Sequence, residues 1–293
     1  MRKLVLSVIL ITLFITKTNS QEINLNGYDI KIPSNEKYAL FPLREIETAS
    51  LMGATTSEFI IEKHLNGIED IGFDLNSNTL TIATEKYLSG LKLLLDDVVS
   101  GKPAFRWKSA ELLKPCERFS NEKKYFKCFI EQFGWDYYVQ LDVAKTEPIY
   151  KKDELITSQI EINKGIKEAF NVINENKVLN LKKTNFIVGY DKNDNFFVEG
   201  DFQLKAFHHV NYGRLLIAFV DDKLIRLKVD CFKKDKCFQA HQVYKNIKTQ
   251  FIVDQDILLK ANLKKSDEIS SFLGKAKNGY RAYKLTKYLL LLL

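Results

Sequence analysis

The sequence predicts an α+β protein, because two different patterns occupy the two halves of the chain. Between residues 46 and 107, segments of strand and helix period follow one another in the order strand, helix, strand, strand, helix, strand. Between residues 186 and 244, short apolar or alternating runs are separated by polar turns, which is typical of an antiparallel sheet made of consecutive hairpins. An apolar stripe of helical spacing within residues 153–177 predicts a helix that packs on that sheet.

The first twenty residues predict export from the cytoplasm. Basic residues at positions 2 and 3 precede an apolar run over residues 4–15, and small residues follow at 18–20. This is the order of regions in a secretory signal peptide. The run is also shorter than the roughly 20 apolar residues that a membrane-spanning helix needs. We therefore expect cleavage after Ser20 and a secreted or periplasmic mature chain that begins at Gln21.

The first predicted domain covers residues 21–150 and has its core at residues 46–107. Thr55 and Glu58 form a capping box, in which each side chain satisfies a backbone N–H group at the start of a helix. The order of elements is that of a ferredoxin-like split pattern. The elements predicted are a strand at 46–52, a helix from 55, strands at 68–75 and 80–83, a helix at 88–99 and a strand at 104–107.

One stretch of this domain resembles a known family. Residues 62–75, EKHLNGIEDIGFDL, and the turn and strand that continue to Ile82 resemble the middle of a heavy-metal-associated domain. That family has a helix ending in Gly and an aliphatic residue, followed by a strand, a turn and a second strand. The resemblance implies a ferredoxin-like fold for this segment. It implies no metal site, because the family's paired thiols are replaced here by residues 52–57, MGATTS, which contain no cysteine.

The second predicted domain, residues 151–293, is an antiparallel sheet with a packed helix. The boundary near residue 150 follows from the change of pattern, since neither a flexible linker nor an internal repeat marks it. Hairpin connections are predicted at 221–223 and 232–236. The strands are predicted at 186–190, 196–199, 202–208, 215–220, 224–231 and 238–244.

Composition and charge exclude some classes of protein. The chain of 293 residues is 45% hydrophobic and 28% charged, which is typical of a globular protein rather than a disordered one. Its formal net charge of +7 falls to +4 when the three basic residues of the signal peptide are removed. Because this small excess is spread along the chain, no nucleic-acid partner is expected.

The four cysteines predict two disulfides. Cys116, Cys128, Cys231 and Cys237 are an even number in a chain that is expected to reach an oxidising compartment. Three pairings exist, and Cys116–Cys128 with Cys231–Cys237 is favoured because it closes the shortest loops. The alternative is a zinc site, which the wide spacing of these cysteines disfavours.

The candidate catalytic residues are His208, His209 and His241. His208 and His209 are adjacent, so a strand directs them to opposite faces, and at most one could join His241 on a later strand of the same sheet. With Glu199 or Asp201, such a histidine could form a zinc or acid–base centre. Histidines that simply pack in the core or lie on the surface are the favoured interpretation.

A second motif resembles part of a calcium-binding loop. Asp191, Asn193 and Asn195 occupy its first three ligand positions. Phe196 and Phe202 stand where the loop needs a glycine for its turn and a glutamate for bidentate binding. We therefore predict a tight polar hairpin turn at this point, and no metal or cofactor for the chain.

Two basic segments could contact an anionic surface. Lys228, Lys233, Lys234 and Lys236 lie around the second disulfide and could meet an anionic polymer or lipid headgroups, with a solvated turn as the favoured interpretation. In the C-terminal tail, residues 275–293, basic residues precede five leucines. This tail could lie on a membrane surface, with burial against the sheet as the favoured interpretation.

The sequence contains none of the common catalytic motifs, such as His-Glu-x-x-His, Gly-x-Ser-x-Gly or a phosphate-binding glycine loop. It therefore favours a secreted or cell-envelope protein with a non-enzymatic binding or structural role, whose partner would be a protein or a small ligand. Enzymatic activity stays open. The alternatives are an extracytoplasmic hydrolase with a histidine–carboxylate site and a peripheral membrane protein that binds through its basic tail.

Overall fold

The computed structural model describes residues 20–52, 62, 65–66, 69, 73–101, 106–145, 179–206 and 209–262. These residues form an α+β structure, which confirms the predicted class. The strands are β1 (Ser20–Leu25), β2 (Tyr28–Pro33), β3 (Lys37–Pro42), β4 (Asn78–Ala83), β5 (Tyr137–Lys145), β6 (Leu179–Tyr190), β7 (Phe196–Ala206), β8 (His209–Val220), β9 (Lys223–Cys231) and β10 (Asp256–Asn262). The helices are α1 (Leu43–Met52), α2 (Glu85–Val99), α3 (Lys108–Glu111), α4 (Glu122–Phe133) and α5 (Cys237–Lys248).

Eight strands form one antiparallel sheet in the order β10-β6-β7-β8-β9-β5-β4-β3, while β1 and β2 form a separate hairpin. The central pairing joins β5 to β9, in a register that runs from Tyr137–Cys231 to Lys145–Lys223. Strands from both sides of residue 150 therefore share one sheet. The boundary predicted there does not separate two sheets.

Different elements cover the two faces of the sheet. Because successive strand residues point to opposite faces, β4 contributes to two separate cores, with Leu80 and Ile82 in one and Ala83 in the other. On one face, α5 and the β1–β2 hairpin pack on the apolar residues of β4, β5, β8 and β9. On the other face, α1 and α2 pack near β3 and β4. The smaller core consists of Phe41, Ile46, Ala83, Tyr87, Leu91 and Leu95.

Helix α2 is confirmed where the sequence predicts a helix. The Thr84 side chain accepts a hydrogen bond from the Tyr87 backbone N–H at 3.3 Å, which caps the helix start. Tyr87, Leu91 and Leu95 are buried four residues apart on one face. The helical spacing of these side chains is the reason that this element could be read from the sequence.

The strand predicted at 46–52 is wrong, because these residues lie in helix α1. Leu43, Ile46 and Glu47 are buried three and four positions apart, and this spacing places them on one helix face. A short apolar run fits both strand and helix periods. Residues 46–52 form a helix rather than a strand because the helix packs its apolar face against α2 and the sheet.

The closing strand predicted at 104–107 is also wrong for its described residues. Arg106 and Trp107 precede helix α3, with Trp107 at its N-cap position. The end of the predicted strand at 68–75 lies in the irregular segment before β4. The ferredoxin-like order predicted from these strands is therefore not found in the described part of the chain.

The strand predicted at 238–244 is wrong as well, because helix α5 begins at Cys237. The described part of the predicted strands 196–199 and 202–208 forms the single strand β7. The predicted helix at 153–177 and the tail at 275–293 lie outside the described residues. The buried residues of α5 have helical spacing, and they are Ala240, Val243, Tyr244 and Ile247.

Both predicted disulfides are confirmed. Cys116–Cys128 has a Cα–Cα distance of 5.6 Å and connects a short 3₁₀ turn to helix α4. Cys231–Cys237 has a Cα–Cα distance of 5.3 Å and connects the end of β9 to the start of α5.

No helix among the described residues is long and apolar enough to cross a membrane.

Candidate functional site

Three of the histidine and carboxylate residues singled out in the sequence, Glu199, Asp201 and His241, lie where helix α5 covers strands β7 and β8. Glu199 and Asp201 are two residues apart on β7 and so share one face of the sheet. Arg214 on β8 lies directly opposite Asp201 in the strand register. Helix α5 lies over this face and adds side chains at helical spacing. We call this group the α5 polar cluster, and its members are Glu199, Asp201, Arg214, His241, Tyr244 and Lys248.

Glu199 is the buried centre of the α5 polar cluster, with 6% of its surface exposed. It accepts a hydrogen bond from the Tyr244 hydroxyl at 2.9 Å and another from the Lys248 ammonium. One guanidinium nitrogen of Arg214 lies 3.8 Å from the same carboxylate. Burial, followed by the negative charge of Glu199, raises the pKa of Tyr244 well above its usual value. The phenol therefore stays protonated and works as a hydrogen-bond donor.

Arg214 and Asp201 form a two-point ion pair beside Glu199. The Arg214 Nε donates to Asp201 Oδ1 at 2.5 Å, and Nη2 donates to Oδ2 at 3.1 Å. The Arg214 guanidinium also lies 5.8 Å from the centre of the Tyr244 ring. Paired donors of this kind fix the orientation of both side chains.

His241 belongs to this cluster, but from a different element than predicted. It lies on helix α5 rather than on a strand, and its Nδ1 is buried without a hydrogen-bond partner among the described residues. Burial lowers the pKa of His241, and the positive charge of Arg214 lowers it further, while Asp201 acts in the opposite direction. His241 is therefore neutral near pH 7. Neither His208 nor the side chain of His209 is among the described atoms, so their roles stay predictions.

The hydrogen bonds of the α5 polar cluster connect a helix to a sheet. Glu199 and Asp201 already accept bonds from Tyr244, Lys248 and Arg214. Within the described ranges, no three His, Cys, Asp or Glu side chains come together in a way that could hold a metal ion. The geometry accounts for attachment of α5 to β7, and a hydrolytic role for His241 stays a prediction.

The calcium-like motif is a hairpin turn, as predicted. It connects β6 to β7, and Asp194 has a positive φ of 61°. The Asp191 carboxylate accepts hydrogen bonds from the backbone N–H groups of Asn193 at 2.8 Å and Asn195 at 2.9 Å. The carboxylate thus stabilises the turn itself, as aspartates at such turns commonly do.

The loop between β9 and α5 carries a different kind of surface. Phe238, in the first turn of α5, is 76% exposed. Lys234, Lys236 and Lys245 have no carboxylate partner within the described part of the chain, and Lys245 lies two turns beyond Phe238 on the same helix face. We call Lys234, Lys236, Phe238 and Lys245 the α5 basic surface.

The loop that carries this surface is held in place at both ends. The Cys231–Cys237 disulfide closes it, and the Asp136 carbonyl oxygen accepts hydrogen bonds from the backbone N–H groups of Phe232 at 2.9 Å and Lys233 at 3.2 Å. The Lys233 ammonium pairs with the Asp136 carboxylate. The lysines of this region therefore differ: Lys233 pairs with Asp136 inside the protein, whereas Lys234 and Lys245 are exposed and Lys236 is half-buried.

A buried ionic group on the opposite face of the sheet was not identified from the sequence. Arg226 on β9 donates to Asp142 on β5 at 2.6 Å and to Glu47 on helix α1 at 2.7 Å. Thr79 on β4 donates to Asp142 at 2.5 Å. The sequence does show charged residues at alternate positions of an apolar strand, β9. It does not show their partners, because these come from segments far away along the chain. We call Arg226, Asp142, Glu47 and Thr79 the Arg226 network.

Comparison with known proteins adds little to this description. No protein-family model matches the sequence, and no curated protein does either. Among solved structures, the chain is similar to the solution structure of cyanobacterial PsbP (CyanoP) from Synechocystis sp. PCC 6803. The identity is 10%, the TM-score is 0.29, and the match covers 40% of this chain and 68% of that chain. A likeness at this level carries no argument about function.

Proposed function

We propose that this protein is exported and acts outside the cytoplasm as a binding protein, contacting an anionic partner through the α5 basic surface. The observation that carries the proposal is Phe238, which is 76% exposed and is the most exposed large apolar side chain of the described residues. When a partner covers an apolar ring and removes it from water, the free energy of the system falls. Lysines around the ring select a partner with negative charge.

The charges of the α5 basic surface are available to a partner. Lys228, Lys233 and Lys248 pair with Asp230, Asp136 and Glu199 respectively. By contrast, Lys234, Lys236 and Lys245 have no such pairing among the residues that the structure describes. Unpaired surface charges steer an oppositely charged partner towards the surface and add to its affinity.

The loop is suited to binding because it is already ordered. The disulfide and the hydrogen bonds to Asp136 hold the backbone before a partner arrives. A preorganised surface loses less conformational entropy on association than a flexible one. The ordered backbone of this loop therefore supports a role in binding more strongly than its lysine content alone does.

Export is supported by two independent features. The N-terminal pattern is that of a signal peptide. Both disulfides leave the described cysteines without a free thiol, as expected for a protein that folds in an oxidising compartment. Mass spectrometry of the exported protein should give a chain that begins at Gln21. A chain that still begins at Met1 in the native cell would contradict this part of the proposal.

The binding part of the proposal is tested with a charge-reversal pair. The K234E/K236E variant should bind less tightly than the wild type to an immobilised sulfated polysaccharide, to acidic phospholipid vesicles, or to both. The control K123E/K124E makes the same change of charge in the first turn of α4, where acidic residues suit the helix dipole. Binding by the wild type to neither probe, or equal weakening by both variants, would show that the α5 basic surface is not a binding site.

A further inference from the structure

We infer that the anionic partner of the α5 basic surface is a lipid membrane that contains acidic phospholipids, with Phe238 inserted among the headgroups. The inference rests on the proposed function and adds the chemical class of the partner. It locates membrane contact at the start of helix α5 rather than in the C-terminal tail.

The combination of a protruding ring and lysines distinguishes a membrane from a soluble polyanion. A sulfated polysaccharide can pair with Lys234 and Lys236, but it offers no apolar layer for Phe238. A membrane surface offers both, because phosphate groups lie next to the boundary of the acyl chains. Of these two partners, the lipid surface is the one that can contact Phe238 and the lysines at the same time.

The shape of the α5 basic surface also fits a broad partner. A side chain that is 76% exposed projects from the protein and does not line a cavity, whereas small ligands bind in concave sites. Phe238 and Lys245 are seven residues apart, so both point away from the sheet along one side of α5. Lys234 and Lys236 extend the same region into the loop. A flat, deformable surface can contact all four side chains.

The expected effects follow from known contributions at membrane surfaces. Each lysine near an acidic bilayer strengthens binding by about fivefold. Insertion of a phenylalanine ring should contribute roughly tenfold or more, because the ring leaves water. Asp235, which lies exposed between two lysines of the surface, opposes binding, and Asp235→Asn should strengthen it by about fivefold.

The experiment measures co-sedimentation of the mature chain with vesicles of phosphatidylglycerol and phosphatidylcholine, beside a sulfated polysaccharide in solution. Phe238→Ala should weaken vesicle binding roughly tenfold or more and leave polysaccharide binding unchanged. Phe238→Trp should restore vesicle binding, because tryptophan is favoured at membrane interfaces. The control is Val99→Ala, which shortens another exposed apolar side chain, 62% exposed at the end of helix α2. Thermal unfolding checks that Phe238→Ala is folded.

The outcomes separate the inference from the proposed function. Binding of the polysaccharide without vesicle binding overturns the inference and leaves the proposed function standing. Binding of neither probe overturns both. Vesicle binding that survives Phe238→Ala but is lost on deletion of residues 288–293 assigns membrane contact to the tail and overturns the inference. Loss with Phe238→Ala, recovery with Phe238→Trp and no effect of Val99→Ala supports it.

Discussion

The Arg226→Met variant should lose about 3–5 kcal/mol of unfolding free energy, the usual cost of removing one partner from a buried ionic group. Arg226 is 8% exposed and bonds two carboxylates, those of Asp142 (2% exposed) and Glu47 (8% exposed). Methionine preserves much of the side-chain volume, so the effect reports charge rather than a cavity. The variant leaves both carboxylates buried without their cation.

Urea unfolding with the disulfides intact measures this loss of stability. Two further variants serve as a control and as a test of recovery. Lys92→Met removes an exposed ion pair with Asp96 and should change stability by less than about 0.5 kcal/mol. The triple variant E47M/D142L/R226M removes all three charges and should recover most of the loss, because no buried charge remains unpaired. A loss below about 1 kcal/mol for Arg226→Met would refute the assignment of the Arg226 network as a tightly coupled buried group.

Three further predictions concern the elements around helix α5. Tyr244→Phe should lower the free energy of unfolding by about 1.5–3 kcal/mol, because Glu199 loses a buried hydrogen bond to a charged group, and denaturant titration measures it. The pKa of His241 is lowered in the folded protein, so its stabilising effect is present above the unfolded pKa of about 6.5 and is lost as pH falls below it. Wild-type stability should therefore fall more steeply between about pH 7 and pH 5 than that of His241→Gln, and parallel curves would contradict the lowered pKa. Replacing Cys231 and Cys237 by serine should cost about 2 kcal/mol, as expected for a short disulfide loop, and an unchanged melting temperature would contradict this.

Elements with a strong local signal could be predicted from the sequence. Helix α2 has a side-chain cap at Thr84 and apolar residues at helical spacing. The turn at Asp191 and the hairpin between β8 and β9 have turn-forming residues between apolar runs. The disulfides follow from short separations of twelve and six residues along the chain. In each case, the interactions that determine the structure join residues close together along the chain.

The short apolar segments could not be assigned in this way. Residues 46–52 and 238–244 were predicted as strands and form helices α1 and α5. Their length fits both periods, and only contacts with the sheet decide between them. Because His241 lies on α5, this misassignment also placed it on the wrong element. Glu199, Asp201 and His241, which the sequence offered only as a less favoured candidate site, lie together in the α5 polar cluster.

The amino-acid sequence by itself determined the α+β class and the pairing of the cysteines, because these depend on local pattern and short separation along the chain. The tertiary structure alone decided that one sheet spans the predicted boundary and that Arg226 meets Asp142, 84 residues away, and Glu47, 179 residues away. It also decided which lysines are paired and that Phe238 faces solvent. These properties depend on strand register and helix packing between distant segments, which no local pattern of residues specifies.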